Sequence, residues 1–187
     1  MAVRTLRRAE RIATVSISMY SCSVGVFTQF LGSLSDLLDR AAVHAEARKI
    51  DPSILLNARL SPNMYNLTRQ VGEAIRHVVL ACGLLASVEP PVFPDTEPDI
   101  PELKARIATA IEFMRGLPPA AINNAGDREV VFTFRNGSTR NFTGQSLLLT
   151  FSVPQFFFHI TTAYDILRHC GVDLAKKDFL GTPSQPQ

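Results

Sequence analysis

The residues with chemical potential in this sequence are its histidines, its cysteines and the glutamines and hydroxyls set among apolar runs. The densest group is "PQFFFHITTAYDILRHCGV", residues 154–172, where His159 follows three phenylalanines directly. An imidazole in such a place is a general base, a metal ligand or a hydrogen-bonded core residue. Gln155 lies four residues earlier and stacks on the same helical face. The stripe continues as Leu148, Ser152, Gln155, His159, Thr162 and Ile166, with no charged member and apolar side chains at both ends. An uncharged polar stripe closed by hydrophobic ends predicts an interior cleft. His159 is the candidate catalytic group, with Gln155, Thr162 and Tyr164 orienting a ligand.

A second helical stretch offers partners. Gln70 and His77 each precede an apolar seam position, Val71 and Val78, as Gln155 and His159 precede Phe156 and Ile160. If the two helices are neighbours, amide and imidazole groups meet across the interface. His44 is a weaker candidate, because Glu46, Arg48 and Lys49 mark an exposed helix end. Cys170 follows His169, but consecutive helical residues point about 100° apart, which is poor geometry for a nucleophile and its base.

Four long helices must position these groups. The first has apolar residues at Tyr20, Val24, Phe27, Leu31, Leu34, Leu38, Ala41 and Ala45, which predicts a helix over residues 19–49. The second runs through Leu67, Val71, Ala74, Val78, Ala81 and Leu85. The third has Leu103, Ile107, Ala110 and Met114, with Asp99 as N-cap and Pro101 and Glu102 in its first turn. The fourth carries Leu149, Val153, Phe156, Ile160, Ala163, Leu167 and Cys170 and stops at Gly171. Pro154 deletes one hydrogen bond there and displaces the Thr150 carbonyl, so a kink is expected one turn upstream.

Between helices, "IDPSILLNARLSPNM" holds a short helical turn and "EPPVFPDTEPDIP" cannot be helical throughout. "REVVFTFRNGSTRNFTG" alternates around Asn136-Gly137 and reads as a small β-hairpin before the last helix. The fold expected is all-α, a four-helix bundle with a hairpin ornament.

Composition fits that reading. A chain of 187 residues with 46% hydrophobic residues holds one domain with a full core. The formal charge of +2 is concentrated in residues 1–14, where four arginines face Glu10 alone, and the body carries −1. A near-neutral body without a basic stripe argues against nucleic acid. Cys22, Cys82 and Cys170 lack framework spacing, which suggests reduced thiols in the cytoplasm. No apolar span suits a membrane helix, and the N-terminal segment shows no signal-peptide cleavage pattern. Residues 1–14 read as a disordered extension or an early start codon rather than an organelle address, residues 15–181 as one domain, and residues 182–187 as a loose tail.

Three stretches carry a family resemblance: "SISMYSCSVGVF", "HAEARKIDPSILLNARLSPNMYNLTRQV" and "FTGQSLLLTFSVPQFFFHITTAYDILRHCGVDLAKKDFLG". Together they resemble the domain-of-unknown-function family nineteen-ninety-three, placed in the DinB/YfiT-like superfamily of four-helix bundles. The resemblance covers residues 15 to 181. It implies that superfamily's fold, and for many of its members a divalent metal held by three histidines. One of those stands on the second helix and two form an H-x-x-x-H pair on the last; some members transfer small thiols. By that resemblance His159 falls on the second histidine of the pair, Gln155 on the first and Gln70 on the second-helix ligand.

Amide oxygens are weak ligands for zinc or nickel beside imidazole, so a Gln/Gln/His set is expected to hold such a metal poorly. Two readings follow. One is a bundle, as a monomer or a homodimer, that binds a small molecule in its polar cleft without a metal. The other is a metal-dependent small-molecule (thiol) transferase or hydrolase, with His159 as the metal ligand.

Overall fold

The computed structural model describes residues 17–94, 96 and 98–183. The expectations for residues 1–14, and for residues 184–187 of the tail, lie outside them. Four long helices run through the described residues: α1 (Val26–Arg48), α3 (Leu67–Ala86), α4 (Ile100–Gly116) and α7 (Val153–His169). Shorter ones are α2 (Pro52–Asn57), α5 (Pro119–Asn123), α6 (Gly144–Ser146) and α8 (Lys176–Leu180). A two-stranded antiparallel hairpin, β1 (Glu129–Thr133) and β2 (Thr139–Thr143), precedes the last long helix.

The apolar seams form one core. Phe27, Leu31, Leu34, Leu38, Val71, Val78, Leu103, Ile107, Phe156 and Ile160 are all buried in it. Phe27 and Phe156 meet edge to face at 5.0 Å, both fully buried. We predict that Phe156→Ala lowers the unfolding free energy by about 3–5 kcal/mol, measured by urea denaturation, because the cavity cannot fully collapse.

Side-chain caps set the helix starts. Asp51 accepts from the Ser53 amide at 2.8 Å, Asn66 from the Arg69 amide at 3.0 Å, and Asp99 from the Glu102 amide at 2.8 Å. The first long helix begins at Met19 as expected, but Ser21–Gly25 widens into a π-helical turn before α1 continues from Val26.

Pro154 has a related effect. Just before it, residues Leu147–Ser152 widen into a π-helix, and the Val153 amide donates to the Leu148 carbonyl five residues back. A proline has no N–H to continue the four-residue ladder, and the wider turn reassigns the neighbouring bonds. The widening falls in the polar stripe, one turn before His159.

The hairpin is held by its alternation. Val130 and Phe132 point inward, and with Leu147 they form a small second core against Leu80, Leu84 and Phe151. Its loop is longer than the Asn-Gly pair alone, with strands ending at Thr133 and resuming at Thr139. Gly137 adopts φ +81°, which favours glycine, and Asn136 Oδ1 accepts from the Ser138 amide at 3.1 Å.

Candidate functional site

Helices α3 and α7 pack side by side, which brings their polar residues together. His159 Nδ1 lies 2.7 Å from Gln70 Oε1 in a buried hydrogen bond. The Gln70 amide nitrogen donates to the Tyr65 carbonyl at 3.3 Å. That second bond fixes the amide orientation, because a flipped amide would set oxygen against oxygen. Gln70 Oε1 only accepts, so His159 Nδ1 carries the proton and Nε2 keeps its lone pair. Nε2 has no hydrogen-bond partner among the described residues.

His77 stands beside this pair, its ring 5.6 Å from that of His159 and tilted by 19°. Phe132 of β1 lies parallel to it at 6.1 Å, and Phe151 meets it edge-on at 5.7 Å. Phe132 of the hairpin and Phe151 of the π-helical stretch thus flank His77 with aromatic rings. Among the described residues His77 Nδ1 is enclosed without a partner, as is Ser152 Oγ at the end of the π-helical stretch before α7. Burial pushes His77 down to about 4; the neighbouring His159 adds to this, and Glu73 opposes it. Burial also lowers His159, again against Glu73. Burial thus favours the neutral form of both imidazoles at pH 7.

Glu73 is the residue that sequence reasoning missed. Gln70, Glu73 and His77 are spaced i, i+3, i+7 and form one stripe on α3, so the uncharged stripe of α7 faces a stripe with a buried carboxylate. Glu73 is 5% exposed. Arg69 Nε lies 2.9 Å and Arg135 Nε 3.0 Å from its Oε1, and Arg76 approaches Oε2 at 3.8 Å. The Arg69 contact is a charge pair rather than a directed bond, since neither atom has an aligned hydrogen-bond partner. A buried carboxylate needs such company, and here one of its cations comes from the hairpin loop.

The other expected site residues divide. Thr162 is buried, and its hydroxyl donates to the Phe158 carbonyl at 2.8 Å. Gln155 is half-buried on the same side of α7, without a side-chain hydrogen bond among the described residues. Tyr164 is not brought to the group: five residues beyond His159 it stands about 140° round the helix and packs on Phe179 of α8 at 5.5 Å. The expected role of Tyr164 beside His159 is therefore corrected. The cysteines make no disulfide, and burial pushes the Cys82 thiol up to about 12, which leaves it inert as a nucleophile.

A metal does not fit this donor set. Among the described residues, no group of three or more His, Cys, Asp or Glu is placed to hold one. The donor nearest the two imidazoles is the Gln70 amide oxygen, a weak ligand already bonded to His159 Nδ1, and Glu73 is committed to arginines.

The family model described as "Domain of unknown function (DUF1993)" matches residues 19–180. The chain belongs to this family. Like the DUF1993 model, a solved structure spans nearly the whole bundle: a DinB family member protein from Shewanella denitrificans is 33% identical, covers 90% of this chain and 96% of its own, and superposes with a TM-score of 0.81. No curated protein matches. The DUF1993 chain thus has the DinB-like fold expected from its motifs, with a mostly helical bundle and one small hairpin. No described helix is long and apolar enough to cross a membrane.

Proposed function

We propose that this DUF1993 bundle binds a small molecule at the α3–α7 seam without a metal, with His159 Nε2 as the atom that meets it. The observation that carries this reading is the relay from the Tyr65 carbonyl through Gln70 to His159 Nδ1. It holds one tautomer in place and leaves a neutral imidazole with a bare acceptor, the form that takes a proton or a hydrogen bond at pH 7. Phe132, Phe151 and Phe158 around the two histidines favour an apolar body. The ligand class is then a compact apolar molecule with one hydroxyl, amide or thiol donor. The free state of all three cysteines supports a reducing, cytoplasmic setting.

Phenol and toluene test the reading directly. Phenol is expected to raise the melting temperature of the wild type more than toluene does, and to lose that advantage in His159→Phe. Gln70→Leu, which leaves Nδ1–H without an acceptor, is expected to weaken phenol binding about tenfold. Equal responses to phenol and toluene, or a phenol response that persists in His159→Phe, would remove the reading.

A further inference from the structure

A sizeable cavity lies on the neighbouring sector of α3. It is a groove of about 950 Å³ walled by α3, by the proline-rich connector of residues 89–94, and by Thr133 and Arg135 of the hairpin. Arg69, Arg76 and Arg135 open onto it, and they share the one carboxylate of Glu73 buried behind them. Three guanidiniums offer about fifteen donors against roughly four lone-pair sites on a carboxylate. One carboxylate therefore leaves part of their donor capacity uncommitted.

Two of the guanidiniums are also held in place. Arg69 lies over the Tyr65 ring at 5.1 Å, Arg76 lies over Phe132 at 5.9 Å, and Arg76 reaches the Thr133 carbonyl at 3.5 Å. Below them the floor is apolar, with Ile75, Val79 and Leu80. The remaining lining charges stand toward the connector: Glu89, Asp99, which caps α4, and Arg106, which pairs with Glu102. The groove is thus positive at the hairpin end and greasy along its base.

We propose that this groove binds an amphipathic anion, a carboxylate or phosphate head on an apolar body, with the head on Arg69, Arg76 and Arg135. Preorganised planar forks suit either oxyanion, and the volume suits a body of drug-like size. The site is separate from the His159 seam and does not depend on the reading of that seam.

Calorimetric titration of the full chain at low ionic strength with octanoate, octyl phosphate, octanol and octylamine tests it. At least one anion is expected to bind about tenfold more tightly than octanol, with octylamine the weakest. The tighter of the two anions identifies the head group. Added salt and Arg135→Gln both weaken the anion, and Glu73→Gln, which removes the competing carboxylate, strengthens it. A merely structural arginine cluster would not give that last result. Anions that bind no better than octanol, or binding unchanged in both Arg135→Gln and Glu73→Gln, would overturn the proposal.

Discussion

Replacing Arg69 and Arg135 together with glutamine lowers the unfolding free energy by about 3–5 kcal/mol at pH 7, while Glu73→Gln alone costs clearly less. The asymmetry follows from where the charges sit. Glu73 has a side chain only 7% exposed, whereas those of Arg69 and Arg135 are 37% and 51% exposed. Deleting the acid lets the arginines turn toward water. Deleting the two near arginines strands a carboxylate in the bundle with only Arg76, at 3.8 Å, for company. The triple variant, with Glu73→Gln added to the double, should recover most of the loss, since no stranded charge remains. Chemical denaturation of the four proteins measures the cycle. Similar costs for the double variant and for Glu73→Gln would mean that the cluster is a solvated surface network.

Acid should weaken the fold through its buried histidines, and His77 carries the larger identified share. Its folded pKa is depressed to about 4 from the ordinary 6.5. Above pH 6.5 it is neutral in both states and its contribution is fully present. As pH falls below 6.5 the unfolded chain takes up a proton that the native chain refuses, and stability is lost until about pH 4. At roughly 1.4 kcal/mol per pH unit this amounts to about 3 kcal/mol.

His159 shifts in the same direction and adds to the slope. Glu73 opposes both, with Arg76 and Arg135 pulling the other way on His77. Carboxylate protonation also acts in this range, so the readout is the difference between wild type and His77→Phe. The variant keeps an aromatic ring against Phe132 and should match the wild type at pH 7.5 within about 1 kcal/mol. At pH 4.5 it should be the more stable of the two by urea denaturation. Parallel stability curves over that range would refute the neutral, buried state of His77.

Much of the scaffold is legible in the residues. The seam spacings place α1, α3, α4 and α7, the Asp99 cap and Pro101 start α4, and the alternation of Val130 and Phe132 builds the hairpin. The Gln70–His159 meeting is also foreshadowed, because both residues stand one step before a seam position on helices that turn out to be neighbours.

Other features are hidden for physical reasons. Glu73 sits four residues after Arg69 and three before Arg76, which reads as an exposed, salt-bridged helix face. Only the i, i+3, i+7 alignment with Gln70 and His77 signals that it turns inward. Arg135 reaches it from a hairpin loop, a contact that no local pattern encodes. Tyr164 shares the aromatic, polar character of a ligand contact, but its phase on α7 sends it to Phe179. The π-turn before Pro154 is a choice among ways to lose one hydrogen bond, and sequence gives the loss rather than the remedy.

Everything proposed for the seam rests on His159 being held as a neutral imidazole by Gln70, with Nε2 bare and no metal attached. Long-range proton–nitrogen NMR of the labelled full chain at pH 6.5, with and without one equivalent of zinc, reads this directly. The His159 ring is expected to be protonated at Nδ1 only, less charged than a free histidine at that pH, and unchanged by zinc. A ring protonated at Nε2, an imidazolium at that pH, or a zinc-dependent shift abolished in Gln70→Leu would contradict it.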